Sequence, residues 1–407
     1  MPGGEARHLT AGWDALIWSS PEEALRSCGE DQGGEGAKHP ERHAARAAQR
    51  RSQQPTGPPR PCVFHGAPSP GDVLQGALGD CYLLSSLSVL ADCSPSLVEA
   101  LLPGHEQDVA RNVFCVRLCV SGHHRRVLLD GFTPCFSPPD GGGHAFAKGR
   151  FGHELWPALV EKAFAKALGG CYAAIEHGDA GEALTTLTGA PCEFVPASAP
   201  GFFDKMVRAA GRGGASPGLG WPVVAMVPDA SGSSQTSPAG GGGGGESGDA
   251  AAAAAAAAAA KLGLVPGHAY GVLDAREVAL PRANDASAPH GALPGDAASG
   301  AASSASTARL LLLRNPWGGD DAEWVGAWGW GATEWEGASG QAARSTIGAS
   351  APTRDPRDGR FWMEASDFEA HFAGASVCRL WGGWGHNSVD VRAARGATTV
   401  LILTGAL

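Results

Sequence analysis

Residues 75–87 read QGALGDCYLLSSL: a glycine-aspartate turn at Gly79 and Asp80, a single cysteine, Cys81, and then a run of leucines. Leu83, Leu84, Leu87, Leu90 and Ala91 recur at helical spacing, and Asp80 stands where an N-cap belongs, so the spacing predicts a helix that begins at the thiol. Unpaired amide N–H groups and the macrodipole at a helix start favour a thiolate. Cys81 is therefore a candidate nucleophile, although a cysteine at a helix start is also an ordinary buried residue.

The rest of the chain supplies partners in a definite order. His268, in VPGHAYGVLDA, stands at the mouth of a strand pattern, and Asn315, in LLLLRNPWGG, stands just past another. An imidazole can take the thiol proton and return it to a leaving amine, and a carboxamide can hold the ring in the useful tautomer. Cys, His and Asn follow one another in this order in papain-type cysteine proteases. Gln75 can aim its side-chain N–H at a developing oxyanion, with the Cys81 backbone N–H as second donor. Trp317 can shield the Asn–His bond from water. Taken singly, His268 reads as a hydrogen-bonded structural histidine, NPWG as a turn with an anchored aromatic, and Trp317 as packing. Their joint occurrence favours catalysis.

Composition narrows the class. The chain has 407 residues, 43% hydrophobic and 18% charged, with a formal net charge of -10. That balance suits a globular protein and offers no broad attraction for nucleic acid or anionic membranes, so no nucleic-acid partner is expected. The N-terminus lacks a basic stretch followed by an apolar run, and no run of about 18 apolar residues is present to span a bilayer. Ten cysteines occur without a C-x-x-C pair or a His partner at zinc-finger spacing. Reduced thiols and a cytoplasmic location are the expectation.

Four regions are expected. Residues 1–60 read as a loosely ordered extension, and 61–195 as a helical subdomain carrying the cysteine. Residues 196–380 read as a β-rich subdomain carrying the histidine and asparagine, and 381–407 as a tail. NVFCVRLCVSGHHRRVLLDGF reads as two strands around a glycine turn, and HELWPALVEKAFAKALGG as a helix with a glycine stop. WPVVAMV, HAYGVLDAREV, ARLLLLR and SVCRLW read as strands. Three inserts of biased composition, near 229–262, 281–307 and 337–356, are expected to be surface loops.

These motifs resemble the calpain cysteine protease core. QGALGDCYLLSSL, GHAYGV and RNPWG are similar to its three active-site blocks, and ELWPALVEKAFAKALGGCYAAI and DGRFWMEASDFEAHF to two more, over residues 61–380. The resemblance implies an α+β, papain-like fold of two lobes, one helical and one β-rich, with the active site in the cleft between them. It also implies an endopeptidase making limited cuts in extended protein substrates, with Gly267 and Gly189 leaving room for the substrate backbone. Calcium-dependent relatives hold one ion in each lobe. Here Asp72 matches a ligand of the first site and Glu323 and Asp358 match ligands of the second. Ala173, Trp330 and Arg360 replace acidic positions, and Tyr82 replaces a tryptophan. A six-to-eight oxygen site tolerates few such losses. A core that needs no cofactor for chemistry, that is insensitive to calcium or binds it weakly, and that closes by packing or with a regulatory partner is the expectation. Two other readings stay open: an inactive calpain-like interaction module, and a transglutaminase-type enzyme, which would want an aspartate at Asn315.

Overall fold

The leucine face that follows Cys81 becomes the centre of one half of the molecule. The computed structural model describes residues 16–28, 60–104, 107–137, 143–150, 152–212, 218–229, 246–281, 306–318, 323–348, 351 and 358–380. The helical half starts with strand β1, Leu16–Ser19, and helix α1, Pro21–Cys28. Helix α2, Cys81–Cys93, is buried at every position from Tyr82 to Ala91. Such a helix has no polar face, and its serines satisfy their hydroxyls internally: Ser86 Oγ donates to Tyr82 O at 2.7 Å and Ser85 Oγ to Ala269 O at 2.9 Å. Around it lie α3, Pro95–Leu101, α4, Trp156–Leu168, and α5, Ala180–Thr188. Strands β2, Val113–Val120, and β3, His123–Asp130, form the expected hairpin. Ser121 and Gly122 at its turn both have positive φ, 51° and 77°, the geometry that matches strand twist. Strand β4, Thr133–Phe136, pairs antiparallel with β1.

The other half is a six-stranded antiparallel sheet. Its strands are β5, Cys192–Pro196, β6, Val223–Met226, β7, Ala269–Leu280, β8, Ser306–Arg314, β9, Arg360–Glu364, and β10, Gly374–Cys378, in the order β5-β10-β6-β7-β8-β9. Helices α6, Phe202–Ala210, α7, Glu246–Lys261, α8, Gly337–Ile347, and α9, Ala365–His371, accompany it. Alternate residues of β8 enter different cores. Leu310 and Leu312 join the leucines of α2, whereas Leu311 and Leu313 pack with Phe203, Met206 and Phe368. Because both faces are covered, the strand reads as the unbroken run LLLL rather than as an alternating pattern. Helix α2 lies across β7, so the two halves share one apolar seam.

Three expectations change. The N-terminal extension is not loose throughout, because β1 adds to the free edge of β4 and Ala24 of α1 is fully buried. The rest of residues 1–60 lies outside the described residues. The boundary after 195 falls inside β5, whose residues Cys192–Pro196 pair with β10, so the sheet half already begins at Cys192. The inserts are not all loops. The alanine tract forms α7, as its high helix propensity favours, and buries Ala256 and Ala259. The third insert holds α8, which buries Ala343 and Ile347. Residues 282–305 and 381–407 lie outside the described residues. Among the described residues no helix is long and apolar enough to cross a membrane.

Candidate active site

His268 and Asn315 are 47 positions apart, and the sheet register brings them together. Strands β7 and β8 are antiparallel with Gly271 opposite Arg314, so the residue entering β7 and the residue leaving β8 emerge at the same end. His268 Nε2 lies 3.0 Å from Asn315 Oδ1. That oxygen also accepts the Trp317 N–H at 3.0 Å, which identifies it as the carbonyl end of the amide. The imidazole must therefore donate from Nε2, and Nδ1 is left as the basic nitrogen. The Trp317 ring lies against the imidazole, centroids 4.4 Å apart, and Tyr270 meets it edge-on at 5.0 Å. His268 and Asn315 are both buried. Burial pushes the imidazole down to about 4, with the Asn315 bond pulling the other way.

The Asn315 turn is pinned from several sides. Asn315 N–H donates to Gly359 O at 2.9 Å, and Gly318 N–H to Asn315 O at 3.1 Å. Gly359 has φ of +68°, and a Cβ there would stand 2.5 Å from Asn315 O, so both conformation and space demand glycine. Behind the turn, the buried Arg314 guanidinium donates to Ser88 Oγ at 2.9 Å, to Val73 O at 2.9 Å and to Asp358 O at 3.1 Å. One cation thus ties the Asn315 strand to α2 and to the segment leading to Gln75. The charge at the end of LLLLR was a signal in the sequence, since a cation on an all-apolar strand needs buried acceptors.

Cys81 is the first residue of α2 and is partly exposed. The Ser85–Ala269 bond holds the helix start against the residue after His268. Burial nevertheless pushes the thiol up to about 12, outweighing the N–H groups of Ala269, Tyr82 and Cys81 that favour the thiolate. The thiolate that the helix start favours is thus opposed by burial, and desolvation exceeds the dipole. Thiol and imidazole are both neutral here and are not hydrogen-bonded to each other.

Asp80 occupies the N-cap position but makes no side-chain cap bond. Its carboxyl is turned inward, fully buried, against that of Glu161, and the pair can hydrogen-bond only when one member carries a proton. Burial pushes Asp80 up to about 7 and Glu161 well above the usual carboxylate range.

Gln75 joins the two halves through its backbone, its N–H donating to Pro316 O at 3.0 Å. Its side-chain Nε2 donates to Leu78 O at 2.7 Å. An amide nitrogen carries two hydrogens, so one N–H remains for an incoming oxyanion. Gly267, with φ of +69°, directly precedes His268. Gly189, with φ of 75°, is the left-handed residue that ends α5, a role that accounts for a glycine without a substrate.

The residues matched to calcium ligands are engaged as follows among the described residues. Asp72 is buried and its Oδ2 accepts both the N–H and the hydroxyl of Ser69, each at 2.8 Å, while Ala173 offers no oxygen from its side chain. In the other half, Asp358 Oδ1 accepts the Arg360 N–H at 2.9 Å, and the Arg360 guanidinium lies 3.8 Å from Asp358 Oδ2. The carboxylate matched to a calcium ligand is thus paired with a guanidinium. Glu323 is half-buried in the loop before Trp324, and Trp330 is 49% exposed and supplies no oxygen.

A thiol opening a central helix, an imidazole entering a strand and a carboxamide leaving the next strand define a cysteine-protease core of mixed α+β class. The model of the calpain family cysteine protease matches residues 34–379, and the chain belongs to that family. It is 30% identical over 323 residues to the calpain-type cysteine protease DEK1 of Arabidopsis thaliana, covering 79% of this chain and 12% of that protein. It is 29% identical over 316 residues to calpain-B of Drosophila melanogaster, 76% of this chain and 27% of the relative. With the calpain-2 catalytic subunit of Homo sapiens it shares 26% identity over 324 residues, 79% and 37% of the two chains. The chain therefore spans well under half the length of these relatives.

Proposed function

We propose that this chain is a cysteine endopeptidase that makes limited cuts in extended segments of other proteins. Cys81 Sγ attacks the scissile carbonyl, and His268 Nδ1 takes the thiol proton and later delivers it to the leaving amine. Asn315 holds the imidazole in the tautomer that leaves Nδ1 free, and Trp317 keeps water from that bond. The second Gln75 Nε2–H and the Cys81 N–H receive the oxyanion, and Gly267 leaves room for the substrate backbone. The observation that carries the reading is the shared acceptor Asn315 Oδ1, which fixes the His268 tautomer, while the Ser85–Ala269 bond holds the start of the Cys81 helix beside it.

Chemistry proceeds without calcium in this reading, which rests on the Arg360–Asp358 pair and on Ala173. A regulatory partner is then the means of control. We assign the chain to a reducing, cytoplasmic setting, since none of the nine cysteines with a described side chain is in a disulfide. The test is cleavage of denatured casein by the purified chain, with calcium and with a chelator, beside Cys81→Ala. Equal cleavage in both conditions and none by the variant is expected. Cleavage that survives in Cys81→Ala would overturn the assignment, and cleavage confined to the calcium arm would overturn the calcium reading alone.

A second reading, a non-catalytic interaction module, draws on the burial that disfavours the charged forms of Cys81 and His268. Absence of any cleavage, together with failure of a substrate-like electrophile to label Cys81, would favour it.

A further inference from the structure

The cysteine spacing gives no zinc motif, yet the fold assembles one thiol and two imidazoles at a place remote in sequence from Cys81. Cys62, His65 and His153 each offer a ligand atom, and these atoms lie within 4.8 Å of one another. The third ligand comes from 88 positions away, which is why spacing along the chain could not reveal the set.

The scaffold behind these side chains is built from backbone bonds. Cys62 N–H donates to His153 O at 2.9 Å, Leu155 N–H to Cys62 O at 2.9 Å, and Trp156 N–H to Val63 O at 3.1 Å, so the two segments are locked in register. Glu154 accepts the His65 N–H and the Trp156 Nε1–H on one carboxylate oxygen, each at 3.0 Å. Its other oxygen is buried and meets no hydrogen-bond donor among the described residues. Glu154 is 2% exposed, so its carboxyl is held in the protein interior beside the cluster. A divalent cation nearby would favour the ionised form of that carboxyl.

The geometry suits one coordination class. His153 Nε2 and His65 Nδ1 are 3.3 Å apart, with the rings edge to face. A tetrahedral zinc ion about 2.0–2.1 Å from each of two imidazole nitrogens places those nitrogens about 3.3–3.4 Å apart. A zinc thiolate sulfur stands about 3.5 Å from such nitrogens, so Cys62 Sγ needs to move in by roughly 1.3 Å at most. That motion gives up only the long contact from Sγ to His153 O, 3.8 Å. His65 is exposed and leaves an entry path. One sulfur and two nitrogens form a borderline-soft set suited to zinc rather than to calcium or magnesium.

We propose that Cys62, His65 and His153 form a zinc site, three protein ligands with water in the fourth position, that ties the segment before the active-site helix to the start of α4. Binding replaces the Cys62 S–H bond by an S–Zn bond and releases the proton to solvent. The ion is structural, and the site is separate from the protease chemistry proposed above.

The test uses the full chain carrying Cys81→Ala, which removes the competing thiol near His268. Cobalt(II) is titrated in and followed by its near-ultraviolet thiolate charge-transfer band and its visible ligand-field bands, and zinc is then titrated calorimetrically. The expected result is one zinc per chain, a tetrahedral cobalt spectrum with a thiolate band, and a higher thermal midpoint with zinc. Cys62→Ser abolishes the thiolate band. His65→Ala, at an exposed position that keeps the fold, weakens zinc by more than the roughly 10- to 100-fold that outer-shell partners contribute. Cys171→Ser, which removes an exposed thiol elsewhere, leaves the spectrum unchanged. The proposal is overturned if the parent binds no zinc, or if stoichiometry and spectrum are the same in Cys62→Ser and His65→Ala.

Discussion

Replacing Arg314 probes how the two halves are joined behind the active site. Its guanidinium makes three hydrogen bonds of 2.9–3.1 Å, to Ser88, Val73 and Asp358, from a site 1% exposed. Bonds from a charged donor contribute about 1.5 to 3 kcal/mol each. Set against them, burial pushes the group down to about 9, a net disadvantage of about 5 kcal/mol for the charge relative to water. The strut is therefore worth far less than its three bonds suggest. In Arg314→Met the desolvation cost vanishes, but the carbonyls of Val73 and Asp358 lose their donors, at about 1 to 3 kcal/mol each. A destabilisation of about 2 to 4 kcal/mol is expected. Arg314→Lys should be worse at pH 6, because an ammonium keeps the burial cost and cannot reach all three acceptors. A buried lysine has its folded pKa depressed below the unfolded value, so its penalty shrinks as pH rises, whereas that of methionine stays constant. Urea unfolding followed by tryptophan fluorescence, in the Cys81→Ala background at pH 6 and pH 9, reads both variants. If methionine matches or exceeds the parent in stability, or if lysine is the milder change at pH 6, the energetic reasoning fails.

Asn315→Ala frees the imidazole to adopt either tautomer and leaves the Trp317 N–H without its acceptor. It should lower kcat, on the order of 100-fold, with little change in KM, as steady-state cleavage of a fluorogenic peptide would report. His144 accepts or donates at Nδ1 to Thr133 Oγ1, 3.1 Å away, and burial pushes it down to about 4. As pH falls from about 6.5 to 4 the unfolded chain takes up a proton that the folded site refuses, so this residue lowers stability over that window. His144→Gln should flatten the acid loss by up to about 3 kcal/mol in chemical unfolding at pH 4.5 against pH 7. In the substrate-free chain, iodoacetamide should modify Cys81 more slowly than the exposed Cys171 at pH 8. Its rate should still climb steeply beyond pH 9, because the thiol titrates near 12. A rate that levels off below pH 7 would mean an ion pair already formed.

What could be read from the sequence was what short-range chemistry encodes. The leucine spacing after Cys81, the glycine turn between β2 and β3 and the catalytic-type motifs at His268 and Asn315 were legible because each is a local pattern. What escaped notice depended on partners far along the chain. The four residues of β1 have no pattern of their own and are fixed by the edge of β4. Helix α8 is written in GASGQAARSTI, whose small residues give weak periodicity, and Gly340 allows its backbone to approach Trp335 closely. Asp80 reads as a cap, yet Glu161, reached only through the fold, turns its carboxyl inward. The reversal at Cys81 has the same origin. The helix start that favours a thiolate is visible in one segment, whereas the burial that opposes it comes from β7 in the other half.

The most direct measurement is peptide mapping by mass spectrometry after treatment with a peptidyl epoxide, which must occupy the cleft before it reacts. The account predicts one adduct per chain, on Cys81, with the reaction slowed by orders of magnitude in His268→Ala. Adducts spread over Cys171 and other thiols, or Cys81 labelling indifferent to the loss of His268, would contradict it.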